Sequence, residues 1–260
     1  MKTYAIGDVH GRADLLKALL SHIQGDNPDG GGYRVIFLGD IIDRGPDSMG
    51  AMDMVVKELD RNTASRLILG NHEEFMLLFL DRPDKRDIVF DHWMRHGGLA
   101  SAASYGLDVG GRYPRIEDAH ESLLELLHRK QDHIGAMRRA ASLIDDGDHF
   151  FVHAGLRPGV PVEQQTTKDM RTIRAGFLDS DFNFGATVVH GHTVTSTSRP
   201  ETHRNRIALD TGAGAGGSLS MMVVDHDGTR TFFQSASASQ VMEIEPFRRP
   251  GTQTGQQGLR

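Results

Sequence analysis

Acids and histidines recur beside glycine in five short segments of the chain: Gly7-Asp8-Val9-His10-Gly11, Gly39-Asp40-Ile41-Ile42-Asp43-Arg44-Gly45, Gly70-Asn71-His72-Glu73, His153-Ala154-Gly155 and His190-Gly191-His192. Carboxylate, carboxamide and imidazole groups without thiolate suit Mn, Fe or Zn better than Mg or Ca alone. The chain has no cysteine, which removes both a thiolate metal site and a thiol nucleophile. Two such metals about 3.5–4 Å apart form a clamp for in-line displacement at phosphorus. They would lower the pKa of a shared water, so that hydroxide attacks directly and no covalent nucleophile is needed. The expected chemistry is two-metal cleavage of a phosphate ester.

Each segment contributes differently. Asp8 and His10 lie two apart at a strand end, so both can point to one side. Flanking glycines keep bulk away and let the backbone turn sharply; alone, an Asp-x-His triplet is usually a plain loop. Asp40 follows the most apolar run, Val35-Ile36-Phe37-Leu38, where a charge is costly unless paired or metal-bound. Its carboxylate can bridge two metals. The Arg44 guanidinium can grip phosphate oxygens bidentately, although Asp43-Arg44 alone reads as a surface pair in a Gly-Pro turn. Asn71 offers a carbonyl oxygen to a metal and leaves its amide for substrate. His72 points the other way and is free to act as an acid, with Asp43 fixing its tautomer and favouring its protonated form.

Glu73 opens a helix, where a negative charge suits the N-terminus; support of the metal site is an equal alternative. His153 and His192 stand at strand ends beside glycine and suit the second metal. His190 is open as a ligand, a support behind the ligands or a filler, and support is favoured. His92, His96, His120, His128 and His133 lie in helical segments and read as surface or packing residues.

These side chains need a frame. Residues 3–6, 35–38 and 66–69 read as strands. Between them Leu15, Leu16, Leu19, Leu20 and Ile23 mark a helix over 12–24, and a second helix spans 47–59. This β-α-β-α-β order predicts a largely parallel sheet with right-handed crossovers. Ligands gather at the carboxyl ends of such strands, which is where Asp8, Asp40 and Asn71 fall. Residues 73–143 are mainly helical, an insertion shaping one side of the cleft. Strands return at 149–152, 187–189, 206–209 and 219–224. A turn at His226-Asp227-Gly228 then leads to 231–234, a hairpin expected to close a second sheet. Residues 1–240 form the expected catalytic domain. Residues 241–260 form a tail, disordered over 251–260, where no apolar pattern exists.

Bulk properties narrow the class. A chain of 260 residues, 38% hydrophobic and 25% charged, is that of an ordinary soluble globular protein. No stretch approaches the roughly 18 apolar residues of a membrane span. The first residues are too short an apolar run for a signal peptide, so a cytoplasmic location is expected. A formal charge of −6 argues against a broad nucleic-acid footprint. The oligomeric state is left open.

Taken together, Gly-Asp-Val-His-Gly, Gly-Asp-Ile-Ile-Asp-Arg-Gly and Gly-Asn-His-Glu, followed by two isolated histidines, resemble the calcineurin-like metallophosphoesterase superfamily. Within it the chain resembles the bacterial PPP-type serine/threonine protein phosphatases, over about residues 3–235. The resemblance implies a four-layer α/β/β/α sandwich with two mixed β-sheets and a helical insertion. It implies that Asp8, His10 and Asp40 hold one metal, and Asp40, Asn71, His153 and His192 the other. His72 would protonate the leaving oxygen with help from Asp43, while Arg44 and Asn71 contact the phosphate.

A further family arginine best matches Arg174 in Ile173-Arg174-Ala175-Gly176-Phe177-Leu178. Thr172 stands where a tryptophan is common, and Arg157 competes for the role. Gly191-His192-Thr193-Val194 lacks the final histidine of many phosphodiesterases. Diadenosine tetraphosphate hydrolases share the first motif, but generally lack the Asp-Arg pair and carry Asp after Gly-Asn-His. The expected activity is therefore that of a Mn-, Fe- or Zn-dependent phosphomonoesterase. Its expected substrates are phosphoserine and phosphothreonine in a phosphoprotein, with phosphotyrosine and small phosphoesters as further ones. A dinucleoside polyphosphate or nucleotide hydrolase is the alternative. A non-catalytic module would lack ligands that are all present here.

Overall fold

The first strand sets the layering. Along β1 (Lys2–Ile6), Tyr4 and Ile6 face one way and Ala5 the other, as a period of two requires. Tyr4 and Ile6 pack with Leu15, Leu16 and Leu19 of the helix α1 (Ala13–Asp26). Ala5 packs instead with Phe151, Val189 and Met222. A strand buried on both faces thus separates a helical layer from a second sheet. The computed structural model describes residues 1–249.

The chain continues through β2 (Tyr33–Phe37), α2 (Ser48–Arg61) and β3 (Arg66–Leu67). A helical run follows: α3 (Asn71–Asp81), α4 (Arg86–Trp93), α5 (Leu99–Ser104), α6 (Ile116–His128) and α7 (Gln131–Arg138). Then come β4 (Leu143–Asp145), β5 (His149–Val152), α8 (Thr167–Thr172), β6 (Thr187–His190), β7 (Glu201–Thr202) and β8 (Arg206–Ala208). Last are β9 (Leu219–Val224), β10 (Arg230–Ser237), β11 (Gln240–Glu243) and β12 (Phe247–Arg248).

The first sheet runs β11-β10-β9-β1-β2-β3 and the second β12-β7-β8-β6-β5-β4. β1, β2 and β3 are parallel, as their crossover helices demand. In the second sheet β5, β6 and β8 are parallel. Both sheets are mixed. Between them Ile36, Leu38, Ile68, Phe151, Ile207 and Leu209 form a dry layer. Outside the second sheet, Phe150, Val152 and Val188 pack against Met170, Ile173 and Phe177 around the short α8. The four-layer sandwich is present, with a thin outer fourth layer.

Two expectations change. The hairpin of β9 and β10 does not close the second sheet. β9 pairs antiparallel with β1, Ala5 opposite Met222, and so extends the first sheet. Residues just past 240, expected as a tail, are strands: β11 pairs with β10, and β12 pairs with β7. The disorder expected over 251–260 lies outside the described residues. No helix among the described residues is long and apolar enough to cross a membrane.

Candidate dinuclear metal centre

The Asp40 carboxylate is the hub of the site. It follows β2, is 2% exposed, and its Oδ2 lies 3.4 Å from His153 Nε2, 3.7 Å from His10 Nε2 and 3.8 Å from His72 Nε2. Ligand atoms of His10, Asp40 and His72 all lie within 4.8 Å of one another, as do those of Asp40, His153 and His192. Asp40 belongs to both groups, the position a carboxylate shared by two cations would take. Burial alone would push its carboxyl up, but His153, His72 and His10 hold it well below the usual range.

Polar groups behind the ligands fix which ring nitrogen faces the centre. His10 Nδ1 hydrogen-bonds the Ile42 carbonyl at 3.0 Å, and His153 Nδ1 the Leu38 carbonyl at 2.8 Å. The Nε2 of each ring is thereby turned inward. His153 Nε2 then faces two oxygens, Asn71 Oδ1 at 3.1 Å and Asp40 Oδ2 at 3.4 Å. His192 Nε2 is buried without a hydrogen-bond partner. Inward imidazole nitrogens gathered with oxygens around Asp40, one of them buried without a partner, are what cations would satisfy, so the donor set fits two metal ions. Burial lowers His10 and His192 to about 3, leaving both rings neutral and able to ligate.

Asp8 reaches the centre from another side. Its carboxylate accepts the His192 amide at 3.1 and 3.0 Å and lies outside the two tight groups. Burial, Asp210 and Asp40 push its carboxyl well above the usual value, a charge crowding that a cation would relieve. The approach needs glycine. A Cβ on Gly191 would stand 1.9 Å from Asp8 Oδ1, and one on Gly70 2.2 Å from Asp40 Oδ1. Left-handed backbone also concentrates here. Of the six non-glycine residues with positive φ among the described residues, five are His10, Asp40, Asp43, Arg44 and His192; the other is Ser198. Such clustering marks backbone held in place by the surrounding structure.

Arg44 and His72 complete the face. The Arg44 guanidinium lies 2.9 Å from His10 Nε2 and 3.1 Å from His72 Nε2. His72 Nδ1 meets Asp43 Oδ2 at 2.6 Å. Burial would lower the His72 pKa, but the charges of Asp40 and Asp43 outweigh it and raise it. Asp43 is itself held by Trp93 Nε1 at 2.9 Å and Ser101 Oγ at 2.5 Å, both from the helical insertion.

Glu73 settles on both of its open roles. As the third residue of α3 it accepts the Gly70 amide at 3.0 Å, which caps the helix. It also accepts the amides of Asp40 at 2.8 Å, Ile41 at 2.7 Å and Ile42 at 3.2 Å. One carboxylate thereby ties the loop carrying Asp40 to the loop carrying Asn71.

The outlying candidates separate. Arg174 reaches the His192 carbonyl at 3.3 Å, whereas Arg157 is paired with Asp169 at 2.6 Å. His190 faces away from the ligands, towards Arg206 at 3.3 Å and the Phe177 ring, while its Nδ1 meets the Gly191 carbonyl at 3.0 Å. It supports the backbone before His192. His120 packs on Phe90 and His133 bonds Tyr105 and Asp53, both away from the centre. Asp210, 1% exposed and close enough to raise Asp8, was missed, though its setting after Ile207-Ala208-Leu209 and before Gly212 repeats the other segments.

The family model of the calcineurin-like phosphoesterases matches residues 1–196. A symmetrical bis(5'-nucleosyl)-tetraphosphatase from Nitrosospira multiformis is 28% identical, across 84% of this chain and 91% of its own. A zinc-dependent endopolyphosphatase from Saccharomyces cerevisiae is 29% identical, over 59% of this chain and 47% of its own. Among solved structures, a candidate diadenosine tetraphosphatase superposes with a TM-score of 0.59 and 20% identity, covering 90% of this chain and 93% of its own. The chain belongs to the calcineurin-like phosphoesterase family.

Proposed function

We propose that the protein hydrolyses the phosphoanhydride chain of dinucleoside polyphosphates, using two divalent metal ions. The observation that carries this reading is the likeness to the Nitrosospira tetraphosphatase over 84% of this chain and 91% of that one. The endopolyphosphatase relative, also named for a phosphoanhydride substrate, supports it. The protein phosphatase activity expected from the motifs is thereby displaced to second place.

By resemblance Asp43-Arg44 and Glu73 point away from the dinucleotide class, which stands as the alternative, but their surroundings do not decide against it. Glu73 serves the backbone of two loops. Asp43 orients His72, and Arg44 lies over His10 and His72, where it would hold a phosphoryl oxygen of an anhydride or of an ester. None of these contacts distinguishes the two substrates.

In this reading Asp8, His10, Asp40, Asn71, His153 and His192 hold the metals. When bound, the ions neutralise phosphate charge and supply an activated water. Arg44 and Arg174 orient the phosphate, and His72, held by Asp43, delivers a proton to the leaving oxygen. Phosphomonoester hydrolysis keeps one specific support, the Asp43-Arg44 motif itself.

The deciding experiment measures rates on diadenosine tetraphosphate, polyphosphate and a phosphopeptide panel with metal-depleted protein refilled with Mn, Zn or Fe. Preferred turnover of the dinucleotide is expected. Turnover of phosphopeptides alone would overturn the reading.

A further inference from the structure

Rings lead outward from the metal centre along the helical insertion. His72 lies edge-on to His10 at 4.8 Å and to Phe75 at 6.4 Å between centroids. Phe75 contacts His92 at 4.7 Å, and His92 stacks on His96 at 4.1 Å with planes 26° apart. Phe75 is half-buried, while His92 and His96 are exposed.

The end of this row is fastened to the phosphate-facing arginine. After His96 the helix breaks: Gly97 has φ of 111°, and its carbonyl accepts the Arg44 amide at 3.1 Å. A Cβ at Gly97 would stand 2.7 Å from Arg44 Cγ, so only glycine allows this approach. His96 Nδ1 bonds the His92 carbonyl at 2.7 Å, which holds one imidazole over the other. His96 of the exposed pair therefore sits one residue from the backbone that positions Arg44.

We propose that the stacked His92–His96 pair, with Phe75 behind it, is the platform on which a nucleobase of the substrate stacks while its phosphates lie against Arg44. Imidazole faces accept base stacking, and stacking is tolerant of base identity because every base has a π-face. The polyphosphate then runs from the platform to the metals, so one nucleoside is recognised by shape with few base-specific hydrogen bonds. This deepens the dinucleoside polyphosphate reading and rests on it. A simple phosphomonoester has nothing to place on these rings.

The test compares wild type with His92→Ala, His96→Ala and His96→Phe on diadenosine tetraphosphate and on p-nitrophenyl phosphate, metal-loaded. Each alanine variant should raise KM for the dinucleotide about 5-fold or more, leaving kcat and the p-nitrophenyl phosphate kinetics unchanged. Phenylalanine at 96 should restore the dinucleotide KM. Equal losses on both substrates would show a role in holding the loop and overturn the platform, as would no change on either. If wild type itself fails to turn over dinucleoside polyphosphates, the parent reading fails, and the platform falls with it.

Discussion

Asp43 Oδ2 meets His72 Nδ1 at 2.6 Å, with His72 2% exposed and Asp43 fully buried. The contact leaves His72 Nε2 as the nitrogen facing Arg44 and the metal ligands, so a proton carried there points at the substrate. Trp93 Nε1 donates to both carboxylate oxygens and Ser101 to Oδ1, which fixes the ring through Asp43.

His72→Asn should keep its metals and slow turnover, because general acid catalysis contributes about 10²–10⁴-fold. The loss should be greater on phosphopeptides than on diadenosine tetraphosphate, since a seryl alkoxide needs a proton far more than a nucleoside phosphate does. Steady-state rates with metal content by mass spectrometry check this. Unchanged rates on both substrates would remove His72 from the chemistry.

Asp40→Asn should lower the bound metal below two per chain, since Asp40 alone lies in both clusters of possible ligands near the centre. Metal counting after desalting measures it. A full complement with wild-type activity would contradict a bridging role.

Gly191→Ala should weaken metal binding without touching a ligand. Its methyl would stand 1.9 Å from Asp8 Oδ1, so the carboxylate or the strand end must move. A crystal structure of the variant with both Asp8 and the backbone of residues 190–192 unmoved would refute the argument.

Glu73→Gln should destabilise the fold by about 1–3 kcal/mol, because an amide group cannot accept from all the backbone donors that the carboxylate serves. The affected amides are those of Asp40, Ile41, Ile42 and Gly70. Urea unfolding of metal-depleted protein reads the change. An unaltered midpoint would show that the clamp adds no stability.

His203 gives a pH signature away from the metals. Burial, then the charge of Arg206, lowers its pKa from 6.5 to about 4. The unfolded chain then binds the extra proton between those values, so His203 costs stability as pH falls from 6.5 towards 4. Urea midpoints of His203→Gln should fall less steeply than wild type across this window. Parallel slopes would show that the folded ring takes up its proton as readily as the unfolded one.

Most of the candidate site was legible because its residues are local. Asp8, Asp40, Asn71, His153 and His192 each follow a short apolar run and have glycine within reach in sequence. Their convergence follows from parallel strands ending on one edge. Partners brought in by packing had no such signal. Trp93 and Ser101 come from the insertion, 50 and 58 residues after Asp43, in helices whose pattern speaks only of burial. Pairing of β9 with β1 likewise depends on contacts across almost the whole chain, which local alternation cannot reveal. Substrate class was least legible, because the contacts of Asp43, Arg44 and Glu73 do not distinguish an anhydride from an ester.

The Glu73 carboxylate has a dynamic consequence. Its bonds join the turn after β2 to the start of α3, so neither can fray without breaking the other's hydrogen bonds. The two segments should open as one cooperative unit. Their amides would then exchange with solvent at a common rate, slow even before metal arrives, and binding would find its ligands already in register.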